Sequence, residues 1–179
     1  MTRVFWYPRS DENGSVLVRA LLAHAVREIY GIALPRIEKD PCGKPFFPDR
    51  PDIHFSISHT KTCVLCAVGD SPLGADTETV RTISDRVKTR VCSQGELMQF
   101  DFFELWTLKE SFFKLFGRYD GPFRSMCFRR SGDRILSPAS GVFAVTLSGI
   151  PGCRAAVCSF SSLSDGITAE KVPFLPQDS

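Results

Sequence analysis

Apolar positions recur along this chain with two different periods, and the switches between them divide it into elements. Val16, Leu17, Ala20, Leu21, Ala23, Val26 and Ile29 carry a helical period, preceded by capping residues at 10–15 and closed by Gly31. At residue 53 the period drops to two. Ile53, Phe55 and Ile57 alternate with His54, Ser56 and Ser58, which predicts a half-buried strand. The polar turn at 58–62 separates it from an apolar run at 63–68, predicted to be a fully buried strand. Helical spacing returns at Ile83, Val87 and Val91, and Ser93 with Glu96 forms a capping box ahead of the longest helix, 101–116. On that helix Phe102, Leu105, Trp106, Phe112, Phe113 and Phe116 gather into one stripe that must meet a core.

The remaining segments read as strands and loops. Residues 3–7 favour a strand stopped by Pro8, and 41–51 is a loop punctuated by Gly43, Pro45, Pro48 and Pro51. After the Gly121-Pro122 turn come short strands near 125–129 and 135–136, then longer ones at 142–147 and 154–160. The tail from about 169 is expected to fray. Residues 55–68 and 143–160 both run strand, polar turn, buried strand, each after a helix. This weak echo points to an α+β fold of two similar halves, 1–72 and 73–179.

Composition narrows the class. At 179 residues the chain can bury a core without staples. Its 22 basic and 20 acidic residues leave a formal charge of +2, so neither nucleic acid nor membrane is called for as an electrostatic partner. The seven cysteines are scattered, mostly within apolar runs, as reduced core thiols are. Cys63 and Cys66 would point to opposite faces of a strand and do not make a zinc site. With no leader-like start and no run of 18 apolar residues, the expectation is a cytoplasmic protein.

Chemistry concentrates in a few places. Asp76 and Glu78 lie two apart, so on a strand both carboxylates share one face. Either they form an acidic strand end in water, or they hold a hard divalent cation such as magnesium. Glu110 and Lys114 are one helical turn apart, either as a surface ion pair or as part of the same site. Lys109 falls inside the aromatic stripe, where it either snorkels outward or reaches an anion at the edge of the core. The Ser58-His59-Thr60-Lys61-Thr62 turn is a polar hairpin or a phosphate receiver, and Lys44 stands between Gly43 and Pro45 in the loop before it. Glu96 has its capping role, and His24 reads as a histidine at the edge of the core.

In order, Gly43-Lys44-Pro45, Ile57-Ser58-His59, Gly74-x-Asp76-x-Glu78 and Trp106-x-x-Lys109-Glu110-x-x-x-Lys114 resemble the motifs of the 4'-phosphopantetheinyl transferases. The likeness is to the longer, surfactin-synthetase-activating type rather than to the short trimeric one, and it covers about 16–168. It implies two α+β halves related by a pseudo-twofold, with coenzyme A in the cleft between them and a monomeric enzyme. It implies that positions matching Asp76, Glu78 and Glu110 hold magnesium against the pyrophosphate and that Lys114 reaches a phosphate. Positions matching Lys44, Pro45, Ser58 and His59 would meet the adenine and the 3'-phosphate, with Lys109 counted among the coenzyme-binding positions. Glu96 matches the family's proposed base, so its catalytic and capping roles both stay open.

The chain starts late relative to the long type, whose N-terminal basic residues help bind the 3'-phosphate; Arg3 and Arg9 are the nearest replacements. The expected reaction is magnesium-dependent transfer of phosphopantetheine from coenzyme A to a serine of an apo carrier protein. Another metal-dependent phosphotransfer enzyme, or a coenzyme A- or carrier-binding module without activity, are the other readings. Leu97, Met98, Phe100, Phe102 and Phe103 exceed what one helix face can bury, so some are expected to be exposed for carrier docking.

Overall fold

The computed structural model describes residues 1–10, 13–118, 120–163 and 167–173. Two helices and two sheets make four layers. The first sheet has the order β11-β1-β5-β4, built from β1 (Arg3–Pro8), β4 (His54–His59), β5 (Cys63–Gly69) and β11 (Ala169–Lys171). The second has the order β6-β10-β9-β8-β7, from β6 (Leu73–Thr79), β7 (Arg129–Ser131), β8 (Arg134–Leu136), β9 (Phe143–Leu147) and β10 (Cys153–Ser159). A two-residue pairing of β2 (Glu38–Lys39) with β3 (Pro45–Phe46) orders part of the segment expected to be loop.

Helix α1 (Gly14–Tyr30) begins at the Asn13 cap, whose side chain accepts from Ser15 N, and ends at Gly31 with φ 68°. Its buried face, including Leu17, Leu21, Leu22 and Val26, packs on Phe5, Phe55, Val64, Cys66 and Val68 of the first sheet. Full burial of each large apolar side chain contributes about 1.5–3 kcal/mol relative to exposure. Because β5 alternates, Cys63, Leu65 and Ala67 face the other way, onto Leu73, Ala75, Ala155 and Val157 of the second sheet. Cys63 and Cys66 thus lie on opposite faces, as expected. His24 is half-buried edge-on to Phe5, also as expected.

Helix α4 (Phe102–Phe116) covers the far face of the second sheet. Asp101 and Glu104 close a capping box at its start, and Gly117, with φ 75°, ends it in the left-handed conformation open to glycine. Leu105, Leu108, Phe112 and Leu115 pack against Ala144, Ala156 and Cys158, while Phe116 at the end of the predicted stripe is exposed. The approach to β6 is close. A Cβ on Gly74 would lie 2.1 Å from the Ser111 carbonyl oxygen and 2.5 Å from Leu115 N, so only glycine lets this helix settle on this strand. Between the sheets and α4 the chain forms α2 (Asp85–Val91), α3 (Gln94–Leu97) and a 3-10 turn at Phe123–Ser125.

One expectation is corrected and another is met. Residues 169–171 do not fray: they pair in parallel with Val4, Phe5 and Trp6, and Val172 beside them is buried. The end of the chain therefore completes the sheet formed at its beginning, across the division expected at 72/73; residues 174–179 of the tail lie outside the described residues. Of the apolar group at 97–103, Phe100, Phe102 and Phe103 belong to the core, Leu97 is half-buried, and only Met98 is freely exposed, at 84 %. No helix among the described residues is long and apolar enough to cross a membrane.

Candidate functional site

The facing edges of the two sheets, β4 and β6, meet without a backbone ladder, and side chains join them instead. Ser56 Oγ accepts from Ala75 N at 2.9 Å, and Ser58 Oγ donates to Asp76 Oδ1 at 2.8 Å while accepting from Thr77 N at 3.3 Å. The alternation with Ile53, Phe55 and Ile57 predicts a strand that is only half-buried, yet both serines are buried. Lys114 crosses the same seam from α4, donating to the Ile57 and Ala75 carbonyls, each at 3.3 Å, and to Asp76 Oδ1 at 2.7 Å. Lys114 is thus paired with Asp76 rather than with Glu110 one turn away.

Above this seam lies a cavity of about 600 Å³, within the usual range for small-molecule sites. Pro45, Ser58, His59, Asp76, Glu78, Glu110 and Lys114 all line it, with Trp106 beside them. Residues as far apart in sequence as Pro45 and Lys114, on β3, β4, β6 and α4, are thereby brought to one place by the fold. Helix α1 forms the opposite wall with Ser15, Val18, Arg19 and Leu22, and Ile37 and Lys39 complete it. His59 and Arg9 crowd the first turn of α1: a Cβ on Gly14 would come within 3.2 Å of His59 Cγ and 2.9 Å of an Arg9 guanidinium nitrogen.

The carboxylates are electrostatically loaded. Burial pushes the Asp76 carboxyl above its ordinary range despite the compensating Lys114 and Ser58. Glu110 is raised as well, first by burial and then by the charge of Asp76, and it has no hydrogen bond or ion pair with any described residue. Glu78, in contrast, is held by Arg81 at 2.6 Å. Among the described residues no three histidine, cysteine, aspartate or glutamate side chains form a ready-made metal cluster. Asp76 and Glu110 nevertheless suit a hard cation, because two adjacent oxygen donors that are costly to ionise together gain most from a positive charge between them. Magnesium needs no more, since it commonly takes one or two protein carboxylates and completes its shell with phosphates and water.

Three residues expected at the site are placed elsewhere. Lys109 is fully buried and neither snorkels nor reaches the cavity. Its amine donates to the Val91 and Phe123 carbonyls, each at 3.0 Å, and is paired with the Glu96 carboxylate at 3.0 Å. Glu96 in turn is 3 % exposed, accepts from Ser93 N and Oγ and from Phe128 N, and stands outside the cavity lining. Its position favours the capping role of the two left open by the sequence. Lys44 reaches under the site to donate to Leu73 O at 3.2 Å and Leu115 O at 2.9 Å, which satisfies a carbonyl in the last turn of α4. It lines a smaller neighbouring cavity of about 220 Å³ instead, and burial depresses its amine.

Arg19 and Lys39 are the site residues that sequence reasoning missed. Both are exposed and neither has a salt bridge or side-chain hydrogen bond to a described residue. A signal existed for Arg19: its helical neighbours three and four residues away are Ser15, Val16, Leu22 and Ala23, so no acid on its own helix neutralises it. Arg3 is not a site residue, being bound to Glu170 at the β1–β11 edge. Arg9 donates to Thr60 O at 2.7 Å and stays beside His59.

No family model matches the chain. Among curated proteins it is 31 % identical to the 4'-phosphopantetheinyl transferase Sfp of Bacillus subtilis (strain 168), over 86 % of this chain and 77 % of that protein. It is 31 % identical to 4'-phosphopantetheinyl transferase psf-1 of Bacillus pumilus and 36 % identical to 4'-phosphopantetheinyl transferase gsp of Aneurinibacillus migulanus, each over 60 % of this chain. Those two matches span about half of the relatives' own length, 52 % and 50 %. The relatives place the chain among group-transfer enzymes. It belongs to the 4'-phosphopantetheinyl transferases of the Sfp type.

Proposed function

We propose that this protein transfers the 4'-phosphopantetheine arm of coenzyme A to a serine hydroxyl of an apo carrier protein, with magnesium, releasing adenosine 3',5'-bisphosphate. The observation that carries the reading is the convergence of Asp76, Glu110, Lys114, Ser58, His59 and Pro45 on one cavity from four separate motifs. Asp76 and Glu110 would hold magnesium. When bound, the ion supplies charge neutralisation for the pyrophosphate and a template for the attacking hydroxyl.

The protein's own residues do the rest by position and charge, which dominate phosphoryl transfer. Lys114 is held by two backbone carbonyls as well as by Asp76, so its amine stays at the seam if that carboxylate turns to a cation, and it can then offset charge on the leaving phosphate. Ser58 fixes Asp76 from behind. His59, Arg19 and Lys39 supply donors and positive charge around the mouth of the cavity, where the 3'-phosphate is received. Lys44 and the Glu96–Lys109 pair act at a distance, the first by bracing the end of α4 and the second by tying α4 to the segments at 91–96 and 123–128. Met98, exposed at the end of α3, is the apolar point offered to an acidic carrier.

Calorimetry of coenzyme A with magnesium tests the site. Asp76→Ala and Glu110→Ala should each remove the magnesium-dependent part of binding while the protein stays folded; undiminished magnesium dependence in both would refute the assignment.

A further inference from the structure

Cys63 and Cys153 lie 90 positions apart in sequence, on strands of different sheets, yet their sulfurs are 3.5 Å apart. Cys63 opens β5 and Cys153 opens β10, so the two thiols stand where the first sheet packs on the second. Threonine hydroxyls enclose them: Thr60 at 3.7 Å and Thr77 at 3.6 Å from the Cys63 sulfur, Thr62 at 3.3 Å and Thr79 at 3.9 Å from that of Cys153. Thr62 is exposed and Thr79 half-buried, so two of the residues whose hydroxyls meet the Cys153 sulfur reach the surface, the first of them in the β4–β5 turn. Desolvation pushes the Cys66 and Cys158 thiols upward, the second even though Ser111 Oγ lies 3.3 Å from its sulfur. Here the hydrogen bond from Cys63, helped by those from Thr62 and Thr79, pulls the Cys153 thiol downward, while Cys63 goes up.

We propose that Cys63 and Cys153 form a reversible disulfide site, closed by a peroxide, that staples the two sheets together beside the candidate active site. The Cys153 thiolate attacks one peroxide oxygen and the O–O bond breaks, leaving a sulfenic acid and, after protonation, water. The Cys63 sulfur then attacks the sulfenic sulfur, its proton and the departing hydroxyl leave as a second water, and the S–S bond forms. Two thiols have lost two hydrogens and two electrons, and one hydrogen peroxide has become two waters. The link would tie the strand following His59 to the partner strand of β6, whose Thr79 is paired with Cys153 next to Glu78. It would hold the two rims of the cavity at a fixed separation.

The test uses the folded chain with the exposed thiols removed, Cys42→Ser/Cys127→Ser. After treatment with hydrogen peroxide and alkylation, peptide mapping should recover the 63-containing and 153-containing peptides joined, separable by dithiothreitol. The oxidised protein should unfold at a higher urea concentration than the reduced one. Recovery of both cysteines as alkylated thiols, or of Cys153 as sulfinic acid without a link, would overturn the proposal. If that background does not fold, the same mapping on the parent chain decides it in the same way, and Cys63→Ser should then leave Cys153 to oxidise without a cross-link.

Discussion

Replacing Glu96 by glutamine distinguishes a buried structural carboxylate from a catalytic base. Glu96 serves four donors, namely Ser93 N, Ser93 Oγ, Phe128 N and Lys109 Nζ, inside a region where Lys109 is fully buried. Glutamine is nearly the same size, but it retains one acceptor oxygen and turns an NH2 group toward donors. It also leaves the Lys109 charge without an anionic partner, held by neutral acceptors such as the Val91 and Phe123 carbonyls. Removing one partner of a buried ion pair costs about 3–5 kcal/mol, a large part of the roughly 5–15 kcal/mol that holds a domain folded. Urea unfolding should therefore show a markedly lower midpoint, while single-turnover transfer by the folded fraction stays within a few-fold of the parent. Lys109→Met should be destabilised similarly, and the double variant should lose less than the sum of the two because the pair is coupled. The reasoning is refuted if Glu96→Gln unfolds at the parent's midpoint while turnover falls by about 10²–10⁴, the usual loss of a general base.

Further outcomes follow from the other parts of the site. Gly74→Ala should cost at least about 1–3 kcal/mol, as overpacking does, because its Cβ would meet backbone atoms of α4 that cannot rotate away; an unfolding midpoint equal to the parent's would count against the close strand–helix contact. Because Asp76 and Glu110 are both raised by burial, the folded protein binds their protons more readily than the unfolded chain does. Metal-free protein should thus lose stability as pH climbs from the ordinary carboxylate range through the raised one. Glu110→Gln should reduce that loss and also remove stabilisation by magnesium, and thermal melts across pH that superimpose on the parent's would contradict it. Arg19→Ala and Lys39→Ala should each weaken coenzyme A binding by about 1.5–3 kcal/mol, the range for a hydrogen bond to a charged group, with little effect on dephospho-coenzyme A. Equal losses for both ligands in calorimetry would move these residues away from the 3'-phosphate.

Much of this was legible in the chain because periodicity carries it. The two-residue period puts Gly74, Asp76 and Glu78 on one face, and the structure turns Gly74 and Asp76 of that face onto Ser111, Leu115 and Lys114 of α4. The aromatic stripe likewise located α4 within one residue of its start. What was not legible depends on partners far along the chain. Ser56 and Ser58 alternate like solvent-facing residues, but their solvent side is occupied by the edge of β6. Lys109 has the stem of a snorkelling lysine, yet Glu96, thirteen residues earlier, meets it inside the core. Lys44 sits in a motif that suggests ligand contact, and its amine is taken by carbonyls 29 and 71 positions away. The short β11 lacks strand-favouring residues and exists because β1 offers it an open edge.

The central claim is tested most directly by intact-mass spectrometry of apo carrier proteins from fatty acid, polyketide and peptide synthesis, each incubated with this protein, coenzyme A and magnesium. The account predicts that at least one carrier gains a single phosphopantetheine on its serine, that chelation of magnesium stops the gain, and that Asp76→Ala and Glu110→Ala enzymes, though folded, give none. Addition of the arm by the Asp76→Ala/Glu110→Ala double variant at the parent's rate would contradict it.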